Sequence, residues 1–352
     1  IECGSLKAPK MDGIRMRTFQ WNRVRRLCFG IQQLQSSTCA QLSNHSFVMG
    51  AIQAIGLTFD MRKADLYGVA ASSMIRTSDP NTKIGLWQDP SQFAAALMQH
   101  ASGAHEVRRY LEIGCYTAWS ALVLVSYLQR VGHRVRGVVV DLVDTFIGPA
   151  FPLLAGRGLS FFNRSAFSPE GALARISAEA HETRHEKGGG GGGGGGGSRR
   201  FDLCFIDAQH SYLGVKADYT EMAAHCRSAM FHDIQDMSTL HLGNFTGGVP
   251  AFWHHLARLA KPSRVTQFVA QLSTARPVFG LGILGPNRRG NVEPDEEGAN
   301  WPEWGEPARG GKEAFVGAFC TPPNGEIFER ICSELRREPR HRHGWRKGAS
   351  LR

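Results

Sequence analysis

From Val107 onward the chain alternates short apolar runs with amphipathic stretches, and that rhythm leaves few folds open. Strands are predicted over residues 107–113, 135–140, 159–162, 201–206, 229–231, 265–270 and 278–284. Helices fit between them over residues 119–130, 145–154, 169–182, 212–225 and 250–259. Strands that are apolar throughout must be covered on both faces, and strand–helix–strand crossovers in one sheet are right-handed. The expected fold is α/β: a doubly wound, Rossmann-like sheet of seven mostly parallel strands with helices on both faces. The sparse helix between the last strands allows an antiparallel edge strand.

The flanks are less regular. Residues 1–43 show little periodicity, residues 46–60 suit a short helix, and residues 67–83 read as a loop. Asp89-Pro90-Ser91 supplies a helix start for residues 92–101, with Phe93, Leu97 and Met98 on one face. Ten consecutive glycines, at 188–197, cannot pack a core and mark a surface excursion before the fourth strand. The expected organisation is an N-terminal extension and cap over 1–83, partly disordered, and a core domain over 84–285 carrying the glycine insertion. An irregular basic extension over 286–352 completes it, with one helix over 325–337.

Composition narrows the class. With 352 residues and 42% hydrophobic content, the chain can bury one large core. No apolar run approaches the roughly eighteen residues of a membrane span. Eight cysteines without Cys-x-x-Cys pairs read as thiols in a reducing, intracellular and cytoplasmic setting. Residues 11–43, rich in Arg, Gln and Ser with Asp12 as the one acid, leave organellar targeting open. The net charge of +10 gathers at Arg15, Arg17, Arg23, Arg25 and Arg26 and again at Arg336–Arg352. Solvated tails explain such blocks better than a nucleic-acid surface does.

In open α/β sheets ligands bind beyond the carboxyl ends of the strands. The first strand ends in Tyr110-Leu111-Glu112-Ile113-Gly114-Cys115-Tyr116-Thr117-Ala118-Trp119-Ser120-Ala121. Here a carboxylate and a glycine lead through a tight turn into a helix, presenting backbone N–H groups to a nucleotide-like ligand. Asp141 ends the second strand, placed for bidentate bonding to ribose hydroxyls. Asp207 ends the fourth strand, and His232-Asp233 end the fifth. Neighbouring strands lie about 4.8 Å apart, so Asp207 and Asp233 converge, which calls for a cation or a proton between them. Oxygen donors suit Mg²⁺ or Mn²⁺, and His232 favours a transition metal. His210, three residues past Asp207, is placed as a general base. A dinucleotide needs Gly-x-Gly-x-x-Gly, whereas Gly114 stands alone and Tyr116 obstructs close approach of a pyrophosphate. S-adenosylmethionine, which carries no phosphate, fits better.

At these residues the chain resembles class I S-adenosylmethionine-dependent methyltransferases. The segment from Leu111 to Ala121 is similar to the Glu-x-Gly-x-Tyr-x-Gly-x-Ser motif of the catechol and caffeoyl-CoA O-methyltransferases. The segment Phe205-Ile206-Asp207-Ala208-Gln209-His210-Ser211-Tyr212, followed by Val215 to Asp218 and by Phe231-His232-Asp233, resembles the methyltransferase 24 and cephalosporin-hydroxylase-like families. The likeness spans roughly residues 84–284. It implies cofactor contacts at Glu112, Gly114, Cys115, Tyr116, Ser120 and Asp141, and metal contacts at Asp207, His232 and Asp233. It implies catalysis by His210, which stands where the catechol group has lysine, or by Asp207. Ala118 and Ala208 stand where those families have glycine, and His232-Asp233 replaces the Asp-Asn pair of the catechol-type enzymes.

The expected activity is O-methylation of a small hydroxylated acceptor with S-adenosylmethionine as cofactor, assisted by Mg²⁺ or another divalent cation. Two alternatives are a cofactor-binding regulator without turnover and, on net charge alone, a nucleic-acid methyltransferase.

Overall fold

The computed structural model describes residues 18–55, 86, 88–102, 105–116, 118–141, 151–163, 201–208, 210, 212–223, 226–234, 248–269 and 280–286. The expected helix over 169–182, the first residues of that over 145–154, the loop over 67–83, the ten glycines and the extension from 287 onward lie outside them.

Seven strands form one sheet: β1 (Arg109–Ile113), β2 (Arg136–Asp141), β3 (Leu159–Asn163), β4 (Phe201–Ile206), β5 (Cys226–His232), β6 (Val265–Phe268) and β7 (Leu281–Leu284). Their order is β3-β2-β1-β4-β5-β7-β6. The pairs from β3 through β5 are parallel, and β7 runs antiparallel to both β5 and β6. The reversed strand is therefore not the edge, as the sequence suggested. It is inserted one place inside, and β6 closes the sheet. This departs from the 3-2-1-4-5-6 order of dinucleotide-binding folds.

Among the described residues the helices are α1 (Thr18–Ser36), α2 (Cys39–Leu42), α3 (His45–Ile55), α4 (Pro90–Ala101), α5 (Trp119–Arg130), α6 (Phe151–Ala155), α7 (Tyr212–Glu221) and α8 (Gly248–Leu259). The first two correct the expectation that residues 1–43 lack pattern. The reason lies in α5, whose residues Trp119 to Leu128 are all buried. A helix apolar on every side must be covered on its outer face as well as against the sheet. Leu27, Ile31 and Leu34 of α1 and Val48, Ile52 and Ile55 of α3 share one core with α5, and the Tyr127 hydroxyl donates to the Leu42 carbonyl at 2.9 Å.

Alternation along the strands splits the sheet into two faces. Tyr110, Leu203, Phe205 and Met230 join the core with α1, α3, α4 and α5. Phe231 faces the other way, 5.3 Å from Trp253 and 6.0 Å from Phe252 of α8 and 5.9 Å from Tyr219 of α7 (ring centroids). Both faces are thus covered, as the apolar strands require.

Strand starts follow local chemistry. Asp202 Oδ2 accepts from the Arg108 and Arg109 amides at 2.9 and 2.8 Å, which delays β1 to Arg109. Cys204 and Cys226 are buried on neighbouring strands with Cα atoms 6.0 Å apart, which sets their side chains against each other. No described helix is long and apolar enough to cross a membrane.

The β7 backbone packs directly on α8: a Cβ at Gly282 would lie 2.6 Å from the Trp253 ring. Gly282→Ala should cost about 1–3 kcal/mol through overpacking, measured as a lower urea midpoint with unchanged slope.

Candidate active site

Strand order reverses about β1, with β2 and β3 on one side and the remaining strands on the other, so the crevice beyond its carboxyl end is the expected ligand position. Backbone bonds hold that end from both sides. The Gly114 amide donates to the Val140 carbonyl of β2 at 2.8 Å, and the Asp207 amide, just past β4, donates to the Ile113 carbonyl at 2.9 Å. Gly114 has φ of +82°, and a Cβ there would fall on the Ala208 Cα and the Asp207 carbonyl oxygen. Only glycine lets the turn lie this close to the exit of β4.

The turn is strained beyond Gly114. Tyr116 has φ of 46°, and Ala118, the N-cap of α5 without a side-chain cap, has φ of 60°. Asp233, past β5, also has φ of 60°. These are the non-glycine residues of positive φ among the described residues, and all lie at strand ends in this region. Such strain persists only where surrounding structure enforces it, and it gathers at functional sites. Part of the enforcement is visible: the Tyr116 amide donates to Asp141 Oδ2 at 2.6 Å, so the acid ending β2 pins the turn.

Glu112 lies beneath the turn and is fully buried. Its two oxygens accept from the Ser120 and Tyr110 hydroxyls, each at 2.5 Å. Burial pushes its carboxyl up to about 8; the two hydroxyl bonds pull the other way, and the charges of Asp207 and Asp141 push with burial. Burial likewise raises the Cys115 thiol, helped by Glu112 and Asp141.

The second group forms where β4 and β5 end side by side, with Ile206 paired to Phe231. His232 Nδ1 lies 3.0 Å from Asp207 Oδ1 and 3.2 Å from Asp233 Oδ1. His210 Nε2 lies 3.3 Å from Asp233 Oδ2 and 3.7 Å from Asp207 Oδ1. His232 and Asp233 are buried, whereas the His210 side chain is 38% exposed and forms the outer edge. Burial alone would raise the Asp207 carboxyl, but the charge of His232 and hydrogen bonds from both histidines hold it at about 2. Burial would lower His232, and the two carboxylates outweigh it, carrying the imidazole well above its ordinary range. Asp207, His232 and Asp233 each offer a ligand atom, and these lie within 4.8 Å of one another.

The structure therefore brings Asp207, His210, His232 and Asp233 into one cluster, and Glu112, Gly114, Cys115, Tyr116, Ser120 and Asp141 into the adjoining turn. Sequence reasoning missed Gln88. It precedes the Asp89 N-cap of α4, is 5% exposed, and donates from Nε2 to Asp207 Oδ2 at 2.7 Å. Its polarity beside a helix start gave no signal, because the contact joins residues 119 positions apart.

No protein-family model matches the chain, and no curated protein matches it. Among solved structures, it is similar to an O-methyltransferase from Bacillus cereus in complex with SAH, at 16% identity over 67% of this chain and 96% of that one, TM-score 0.36. It is similar also to the O-methyltransferase TomG from Streptomyces achromogenes in complex with SAM, at 16% identity over 68% and 96%, TM-score 0.34. A third is the CurJ carbon methyltransferase, at 11% identity over 76% and 67%, TM-score 0.32.

Glu112 makes stability depend on pH in a defined direction. Folded, it keeps its proton up to about pH 8, while an ordinary glutamic acid releases it near 4.5. The unfolded chain ionises first, so this contribution is full below 4.5, falls as pH rises, and levels off past 8. Glu112→Gln should flatten that part of the profile, seen by urea unfolding at a series of pH values between 5 and 8.

Proposed function

We propose that the chain is an S-adenosylmethionine-dependent methyltransferase acting on an oxygen of a small hydroxylated acceptor. The observation that carries this reading is the placing of Glu112, Asp141 and Asp207 at the ends of three neighbouring strands around the β1–α5 turn. The carboxylates of Asp141 and Asp207 there repel a pyrophosphate and favour a cationic ligand, while Glu112, held protonated by burial, braces the turn from beneath. The inserted β7 and the side chains at Tyr116 and Ala118 point away from a dinucleotide in the same way.

When bound, S-adenosylmethionine supplies a methyl carbon activated by its sulfonium, open to in-line displacement by the acceptor oxygen. The protein's part is mainly positioning and proton transfer. Gly114, Cys115 and Tyr116 form the backbone edge of the cofactor site, with Asp141 placed for ribose hydroxyls. Glu112 and Ser120, bonded to each other, brace that edge from beneath. His210, at the exposed side of the cluster with Nε2 toward Asp233 and Asp207, takes the proton from the acceptor hydroxyl at Nδ1. Asp233 and Asp207, 3.3 and 3.7 Å away, stabilise the imidazolium that results.

The donor set at Asp207, His232 and Asp233 fits a divalent cation such as Mg²⁺, since three ligand atoms converge and two of the groups are carboxylates. A cation held there would acidify a bound hydroxyl. His232, set between the two carboxylates, supplies positive charge at the same place when protonated.

A second reading is a cofactor-binding regulator without turnover, favoured by the strained Ala118 at a left-handed position that suits glycine. Calorimetric titration with S-adenosylmethionine, with Mg²⁺ and with chelator, joined to a methyl-transfer assay on hydroxylated small molecules, separates the two. The enzyme should bind and turn over, and His210→Ala should keep cofactor affinity while losing about 10²–10⁴-fold in turnover. Binding without transfer would favour the regulator. Failure to bind under either condition would overturn both.

A further inference from the structure

Two amides at the start of α4 share an unusual design. Gln88 and Gln92 are 5% and 6% exposed, and each is anchored to the protein through one end only. Gln88 donates from Nε2 to Asp207, and its Oε1 is buried with no hydrogen-bond partner. Gln92 accepts the Gly280 amide at Oε1, 3.0 Å, and its Nε2 is buried with no partner. The orientation of Gln88 is fixed by chemistry, because an ionised Asp207 accepts only and must face the amide nitrogen.

An unmade bond at a buried polar atom costs about 1–3 kcal/mol, so native proteins leave few of them. Here the Gln88 Oε1 atom lies next to Asp207 of the proposed catalytic cluster. The nitrogen is 2.7 Å from Asp207 Oδ2, and covalent geometry separates the two amide heteroatoms by about 2.2 Å, so Oε1 lies within about 5 Å of that carboxylate. Asp207 Oδ1 is in turn 3.7 Å from His210 Nε2, so Asp207 stands between this amide and the proposed base.

We propose that Gln88 is an acceptor-binding residue, its Oε1 receiving a hydrogen bond from a second donor group on the methylated molecule. The ligand class is a hydroxylated small molecule with an N–H or O–H donor adjacent to the oxygen that takes the methyl. The proposal rests on the methyltransferase reading. Nε2 holds the amide on Asp207, so the ordering cost of a free glutamine is avoided when the acceptor arrives.

The test compares two probes of similar size in the full chain, 2-aminophenol and 2-methoxyphenol. Each carries a hydroxyl to methylate, and only the first has a neighbouring donor. Wild type should favour 2-aminophenol about tenfold in kcat/KM, the worth of one hydrogen bond. Gln88→Met keeps the volume and removes the carbonyl, and it should bring the ratio near one while S-adenosylmethionine affinity stays unchanged; the melting temperature should fall, because Asp207 Oδ2 also loses its Nε2 donor. Gln88→Glu keeps an acceptor oxygen but sets a second carboxylate against Asp207, and it should lower turnover on both probes. A ratio in Gln88→Met equal to that of wild type overturns the proposal, as does a wild-type ratio near one or absence of turnover on both probes by a protein that binds the cofactor. Absence of cofactor binding by wild type overturns instead the reading on which the proposal rests.

Discussion

Ile113 and Gly114 are tied to opposite neighbours: the Ile113 carbonyl receives the Asp207 amide from β4, and the Gly114 amide reaches the Val140 carbonyl of β2. These two bonds align the carboxyl ends of three strands. Everything polar in the site hangs from that alignment. Asp141 pins the turn because β2 stops level with it, and Asp207 meets His232 because β4 and β5 are in register at Ile206 and Phe231. The absence of a Cβ at Gly114 permits the close approach, so a single missing methyl group sets the width of the crevice.

The price of this arrangement is conformational. Tyr116, Ala118 and Asp233 occupy left-handed backbone positions that cost L-residues roughly 1–2 kcal/mol each. The surrounding core supplies the counterweight. Trp119 to Leu128 form a helix buried on all sides, and the aromatic group of Tyr219, Phe231, Phe252 and Trp253 fixes the far face of the sheet below Asp233. Local unfavourable geometry at strand ends and dense packing one layer beneath them are two halves of one design.

Much of this was legible in the sequence. The strand–helix rhythm located all seven strands because continuously apolar runs at that spacing have one stable solution. The polar residues ending them, Asp141, Asp207 and His232-Asp233, followed from where such sheets bind ligands. Three features were not legible. Helices α1 and α2 are required by the missing polar face of α5, a tertiary demand that their own weak periodicity does not announce. The inward place of β7 depends on pairing rather than on strand propensity. The contact of Gln88 with Asp207 comes from packing α4 against the sheet, which no local window contains.

That contact has a bearing on how the molecule assembles. Closing a loop of 119 residues carries an entropic cost of about 4 kcal/mol on the scale of (3/2)RT ln n. One hydrogen bond does not repay that, so Gln88 meets Asp207 only after α4 has docked on a sheet already formed. The bond therefore depends on packing that holds α4 in place against the sheet. Occupancy of the Gln88–Asp207 bond is thus a readout of whether α4 and the sheet have come together.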